Sequence, residues 1–252
     1  MALVADLLHI PHVSPLQFTD SLMSSFVLQT EEVIEGEIRK FVENGPETHE
    51  IELSAEEGIY SYVEHYQGLS DAEVMLDEIF KEYFPSLHRR SAFQTIYSTY
   101  EVELQSLCCR YQKKKLGGKT FDKYPGLGLV KVNNFVNRHF PQLKNKPEQQ
   151  LIDVLRKLRN QCIHYDGKAY KNSGNSIAKI NGLIESFPTL FHHDGLVVMD
   201  EHGKVERYAD GSERRSGQYV IFESGCLRFV IEAFQAYVEA IAVEYRKHKV
   251  NV

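Results

Sequence analysis

PEQQLIDVLRKLRNQCIHYDG, residues 147–167, is the stretch whose reading decides the fold class. Leu151, Leu155, Leu158 and Cys162 recur at three- and four-residue intervals, so they trace one seam on a helix of 3.6 residues per turn. Pro147 suits a first helical position and Gly167 supplies a C-terminal stop, which predicts a helix from Pro147 to Tyr165. Arg156, Asn160 and His164 are spaced by four and form a polar ridge opposite that seam.

The same period continues on both sides. Leu22, Phe26, Val33, Ile34, Ile38 and Phe41 predict a helix within residues 15–43, closed by Asn44, Gly45 and Pro46. Ser70 and Glu73 have the spacing of a capping box for a short helix through Val74, Ile79, Phe80 and Tyr83, with Pro85 as its stop. A long helix follows from Ser86 to Tyr111 on the stripe Phe93, Ile96, Tyr97, Tyr100, Leu104, Leu107 and Cys108. Gly117, Gly118, Pro125, Gly126 and Gly128 mark a loop before a helix through Val132, Phe135, Val136 and Phe140. Beyond the central stretch come a helix near 176–185 and short strands at 196–199, 205–208 and 219–222 around a turn at 200–203, read as a small β-hairpin insert. A last helix spans Leu227 to Tyr245, and no internal repeat is evident. The expectation is a mainly α protein: an acidic helical extension over residues 1–65, then a helical domain over 66–252 with the hairpin insert near 195–223.

Composition narrows the function classes. The chain has 252 residues, 42% hydrophobic and 25% charged, which excludes wholesale disorder, and its sixteen glycines lack a collagen period. No apolar run approaches a membrane span, and no basic residue precedes the short apolar start, so neither a membrane anchor nor a targeting peptide is expected and the cytoplasm is the expected location. Cys108, Cys109, Cys162 and Cys226 offer no disulfide framework and no zinc-knuckle spacing. The net charge of −6 hides an asymmetry: residues 31–82 hold sixteen acids against three bases, and residues 83–171 hold seventeen bases against six acids. The basic middle calls for an anionic partner, either the chain's own acidic segment or the phosphates of a nucleic acid or nucleotide.

Arg159-Asn160 followed by His164 resembles the R-N-x-x-x-H signature of the HEPN superfamily, helical proteins that include many metal-independent ribonucleases. The helix from Tyr97 through Glu101 to Cys108 is similar to the one preceding the motif helix in several bacterial members. Asp166 stands where some HEPN toxins carry a tyrosine. The resemblance implies a HEPN-like helical bundle with additional N-terminal helices, a homodimer with the motif at its interface, and cleavage of RNA by attack of its 2′-hydroxyl. A toxin or antiviral defence effector, with a neutralising protein partner, fits that class.

The residue types suit such chemistry. His164 is the proton-transfer candidate, because imidazole titrates nearest neutrality, and Arg159 offers a fixed fork of donors to a crowded phosphorane. Asn160 would orient His164 or hold a phosphate oxygen. Arg159 lies about 140° around the helix from His164, so two copies of the helix across a two-fold axis would gather both groups more readily than one. Arg156, Tyr165, Lys113, Lys114 and Lys115 are the expected RNA-binding residues, Tyr165 by stacking on an unpaired base. Glu101 and Glu103 could orient the motif arginine from the preceding helix, but glutamates facing water are the plainer reading of both. The other reading is a non-catalytic module of the same fold that binds RNA, a nucleotide or a protein.

Other constellations are weaker. Gly118-Lys119-Thr120 lacks both the upstream glycine and the strand of a phosphate loop, since Lys113 occupies the glycine position. His192-His193-Asp194 and the pair His9 and His12 each lack a second ligand pair, so neither a metal nor another cofactor is expected.

Overall fold

A computed structural model describes residues 14–54, 56–116, 119–170 and 177–250; His9, His12, Gly117 and Gly118 fall outside them. Six helices longer than one turn carry the described chain: α1 (Gln17–Asn44), α2 (Phe84–Tyr111), α3 (Gly128–His139), α4 (Pro147–His164), α5 (Ala178–Ser186) and α6 (Cys226–Val250). The aromatic stripe of α2 is its buried face, with Phe93, Ile96, Tyr97, Tyr100, Leu104 and Leu107 all within the core. It packs against α6, where Phe234 stacks on Tyr100 with ring centroids 4.7 Å apart, and against α1, α3 and α4. The fold is mainly α, as the periodicity predicts.

Pro85 does not stop a helix. A helical turn at Leu76–Glu78 runs into a π-helical turn, Ile79–Tyr83, and on into α2 with helical backbone angles throughout. Phe84 donates to the carbonyl of Ile79, five residues back, and this wider turn immediately before Pro85 lets the helical backbone pass a residue that has no N–H to donate. Ser70 caps nothing helical: its hydroxyl accepts from the Ala72 N–H in a turn beyond a short strand.

The N-terminal region differs from an all-helical extension. Residues 47–70 form an antiparallel sheet, β1 (Glu47–Ser54), β2 (Ile59–Tyr66) and β3 (Leu69–Ser70) in the order β1-β2-β3, with Glu47 opposite His65 and a bulge near Ser54. A boundary at 65 would cut β2. Moreover, Leu16, Met23 and Val27, at and beyond the start of α1, sit in the same core as α2 and α6. The sheet meets α1 in a second small core, where Phe41 stacks on Phe80 and Tyr66 stands edge-on to both rings.

The insert is more ordered than a hairpin. Strands β4 (Phe191–His193) and β5 (Val220–Phe222) pair antiparallel, and three backbone segments between them close on one another. Val198 donates to Arg214, Arg214 to Glu206 and Glu206 to Val198; Asp200 donates to Lys204, Tyr208 to Ser212 and Ser216 to Leu196. Every bond recurs after eight residues, so residues 196–216 are a triangular β-ribbon of three units. This is an internal repeat of eight residues, marked in the sequence by glycines alone: Gly195, Gly203 and Gly211, at φ of 82°, 74° and 90°.

Candidate functional site

Helix α4 is anchored along Ile152, Leu155 and Leu158, with Gln149 also buried at its base; Leu151 and Cys162 are half-buried at the margins of the seam. Gln149 accepts from the Asn145 N–H and donates to Asn137, so this buried amide is satisfied where α4 begins. At the other end Asp166 and Gly167 both adopt left-handed backbone, φ 51° and 81°, and the N–H groups of Tyr165 and Gly167 turn back onto the carbonyl of Gln161. A Cβ on Gly167 would lie 3.0 Å from the Arg90 guanidinium, so the glycine admits that side chain as well as ending the helix.

Helices α2 and α4 run antiparallel. Arg90, almost completely buried, donates to both the backbone carbonyl and the carboxylate of Asp166, and its Nε has no hydrogen-bond partner among the described residues. Two turns further along α2, Tyr97 lies under Arg159, with the guanidinium carbon 5.7 Å from the ring centroid. The Tyr97 hydroxyl and the Arg159 Nε are both buried without a hydrogen-bond partner among the described residues. Burial, with the Glu101 charge beside it, pushes the Tyr97 hydroxyl far above the ordinary phenol range, so it stays protonated.

Arg159 therefore points toward α2, its NH1 3.4 Å from the Asn160 amide oxygen. His164 and Tyr165 are exposed at the helix tip, their rings edge to face with centroids 6.3 Å apart. Among the described residues no hydrogen bond joins Arg159 to His164. Arg156 is held by Asp153, which also accepts from Lys179 of α5 at 2.8 Å. Burial acts to raise the Asp153 pKa, but these two hydrogen bonds outweigh it and hold the carboxyl below its ordinary range. A cleft of about 270 Å³ opens beside the tip, lined by Tyr83, Arg90, Asp166, Asp194 and Tyr219 with Val220 and Ile221.

Some expected partners stand elsewhere. Lys113, Lys114 and Lys115 lie in a π-turn, Gln112–Leu116, at the far end of α2, with Lys113 and Lys114 exposed. At 1.5 Å per residue they are about 35 Å along the helix from Arg90, so one chain does not gather them with His164 into a single surface. Glu101 does not orient the motif arginine; its carboxylate accepts from the Leu129 N–H and caps the start of α3. Gly128, φ 53°, makes this approach feasible, since a Cβ there would lie 2.1 Å from the Glu101 oxygen. The half-buried Cys162 thiol is pushed up to about 12 by burial, which removes it as a thiolate nucleophile.

His192 does gather ligand-type groups, though not with its sequence neighbours. Its partners are Glu82, from the π-turn before α2, and Glu223, just beyond β5. Arg90 and Tyr97 were absent from the expected site. Their signal is phase: Arg90, Phe93 and Tyr97 share one face of α2, so a charge in register with an apolar stripe marks a buried contact. Comparison with protein-family models, with curated proteins and with solved structures finds no match.

Proposed function

We propose that the chain is a metal-independent endoribonuclease that acts as a homodimer, with Arg159, Asn160 and His164 of both copies facing one phosphodiester. The observation that carries this reading is the tip of α4: the imidazole of His164 is open to solvent there, on the same helix ridge as Arg156 and Asn160. A two-fold partner would bring a second imidazole. One imidazole would then accept the 2′-hydroxyl proton as that oxygen attacks phosphorus, while the other protonates the departing 5′-oxygen as its bond breaks. Arg159, turned out from Tyr97, would stabilise the phosphorane. Asn160 and Arg156 would hold the flanking phosphate, and Tyr165 would stack on a base. A toxin or defence effector with a neutralising partner is the setting that this chemistry suits.

One observation favours a second reading. Arg159 spends its guanidinium within its own chain, on Tyr97 and Asn160, as it would in a module that binds RNA, a nucleotide or a protein without turnover. Incubating the purified chain with total RNA in a chelator separates the two. The nuclease reading expects cleavage by wild type and a loss on the order of 10²-fold or more in His164→Ala, with dimer mass unchanged by sedimentation. RNA bound but left intact by both proteins would establish the module instead.

A further inference from the structure

We infer a binding site for one divalent first-row transition ion, of the Zn²⁺ or Mn²⁺ class, on Glu82, His192 and Glu223. The three ligand atoms lie within 4.8 Å of one another, and all three residues are half-buried. His192 Nε2 is 2.9 Å from Glu223 Oε1 and 3.8 Å from Glu82 Oε1. Ligands at about 2.0–2.2 Å from a tetrahedral ion stand roughly 3.3–3.6 Å apart, and the two distances from His192 bracket that range.

The supports around the cluster have the form that metal ligands need. The other ring nitrogen of His192, Nδ1, is 2.8 Å from the carbonyl of His193 and donates to it, which leaves Nε2 facing both carboxylates; without an ion its N–H donates to Glu223, and a metal would take the place of that proton. Each ligand belongs to a different constrained element. Glu82 lies in the π-turn Ile79–Tyr83, His192 in β4, and Glu223 follows β5 with its N–H bonded to Leu190. One imidazole and two carboxylates match a 2+ ion in charge, and the nitrogen donor favours a transition ion over Mg²⁺ or Ca²⁺. Arg215, 2.5 Å from Glu82 Oε1, is the cation that the ion must displace or share. The ion would pin the β4–β5 pair and the triangular ribbon to the start of α2. That role is structural and independent of the RNA chemistry proposed above.

The test uses the full chain stripped with a chelator and then dialysed. Titration with Zn²⁺ followed by calorimetry is expected to give one equivalent, a rise in Tm on loading, and a Co²⁺ derivative with visible d–d absorption. The near-isosteric Glu223→Gln and Glu82→Gln, chosen because they keep the fold, should each weaken Zn²⁺ binding at least tenfold, and His192→Gln should abolish the Co²⁺ bands. Absence of a stoichiometric site in wild type would overturn the inference. So would binding that all three variants retain, which would place the ion on another histidine; the cluster would then be an ion-pair network of His192 and Arg215 with the two glutamates.

Discussion

The two ends of α2 use positive charge in opposite ways. At the N-terminal end Arg89 and Arg90 are buried: Arg89 grips Glu31 of α1 through two nitrogens at 2.8–3.1 Å and donates to the Phe222 carbonyl, and Arg90 closes on Asp166 at the end of α4. At the C-terminal end the core contacts are aromatic, with Tyr111 stacked on Tyr245, and the cations Lys113 and Lys114 project into solvent. The basic middle of the sequence is thus not one phosphate-binding surface. Part of it answers the chain's own acids, and only the remainder is available to a polyanion.

The largest test of that contrast is Arg89→Ala. It leaves the Glu31 carboxylate and the Phe222 carbonyl without their donor in a buried place, and a loss of about 3–5 kcal/mol in urea unfolding is expected. A loss below about 1 kcal/mol would place Arg89 in the same category as the lysines. Next is Arg90→Ala, which strips the donor from Asp166. A cost of about 1–3 kcal/mol is expected, with faster amide exchange at Tyr165 and Gly167 because the left-handed close of α4 loses its brace. Unchanged exchange there would separate the tip of α4 from the buried charge.

The lysine end should behave otherwise. Lys113→Ala with Lys114→Ala should leave stability within about 0.5 kcal/mol, and should reduce the salt slope of single-stranded RNA binding by about 1.4 if RNA runs over them. An unchanged slope would remove that end from the RNA path. The smallest expected effect is at Asp153. Its folded pKa is lowered, so its carboxylate adds stability above the ordinary value of 3.8, and that contribution is lost as pH falls through the lowered folded value. Wild type should exceed Asp153→Asn by about 0.5 kcal/mol near neutrality, reduced by solvent screening, and the gap should close in acid. A gap that persists below the folded pKa would show that packing, not charge, is responsible.

Much of the helical architecture was legible in the chain. The stripes of α2, α4 and α6 repeat at the helical period because each buries one face, and Gly167 ends α4 as its position predicts; α1 is a helix as expected, but its buried face runs through Met23, Val27, Ile34 and Phe41 and leaves Leu22 and Val33 exposed. The β-sheet at 47–70 was less legible: β1 is exposed along nearly its whole length, so burial imposes no clean alternation of apolar and polar residues. The triangular ribbon escaped for a related reason, as its units are tied by backbone hydrogen bonds that make little demand on side chains. Seven residues separate Tyr97 from Arg90, which put them on one face of α2, but which α4 residue each would meet depended on the register between the two helices.

By itself the sequence determined the helices, because their periodicity is local, and it placed His164 on the ridge opposite the seam of α4. Only the tertiary structure decided where the charges go. Arg89 met Glu31 across 58 residues, Arg159 turned onto Tyr97, and Glu82, His192 and Glu223 converged from three elements. Partner choice among buried ionic groups depends on the packing of distant segments, and a linear pattern of charges carries no record of that distance.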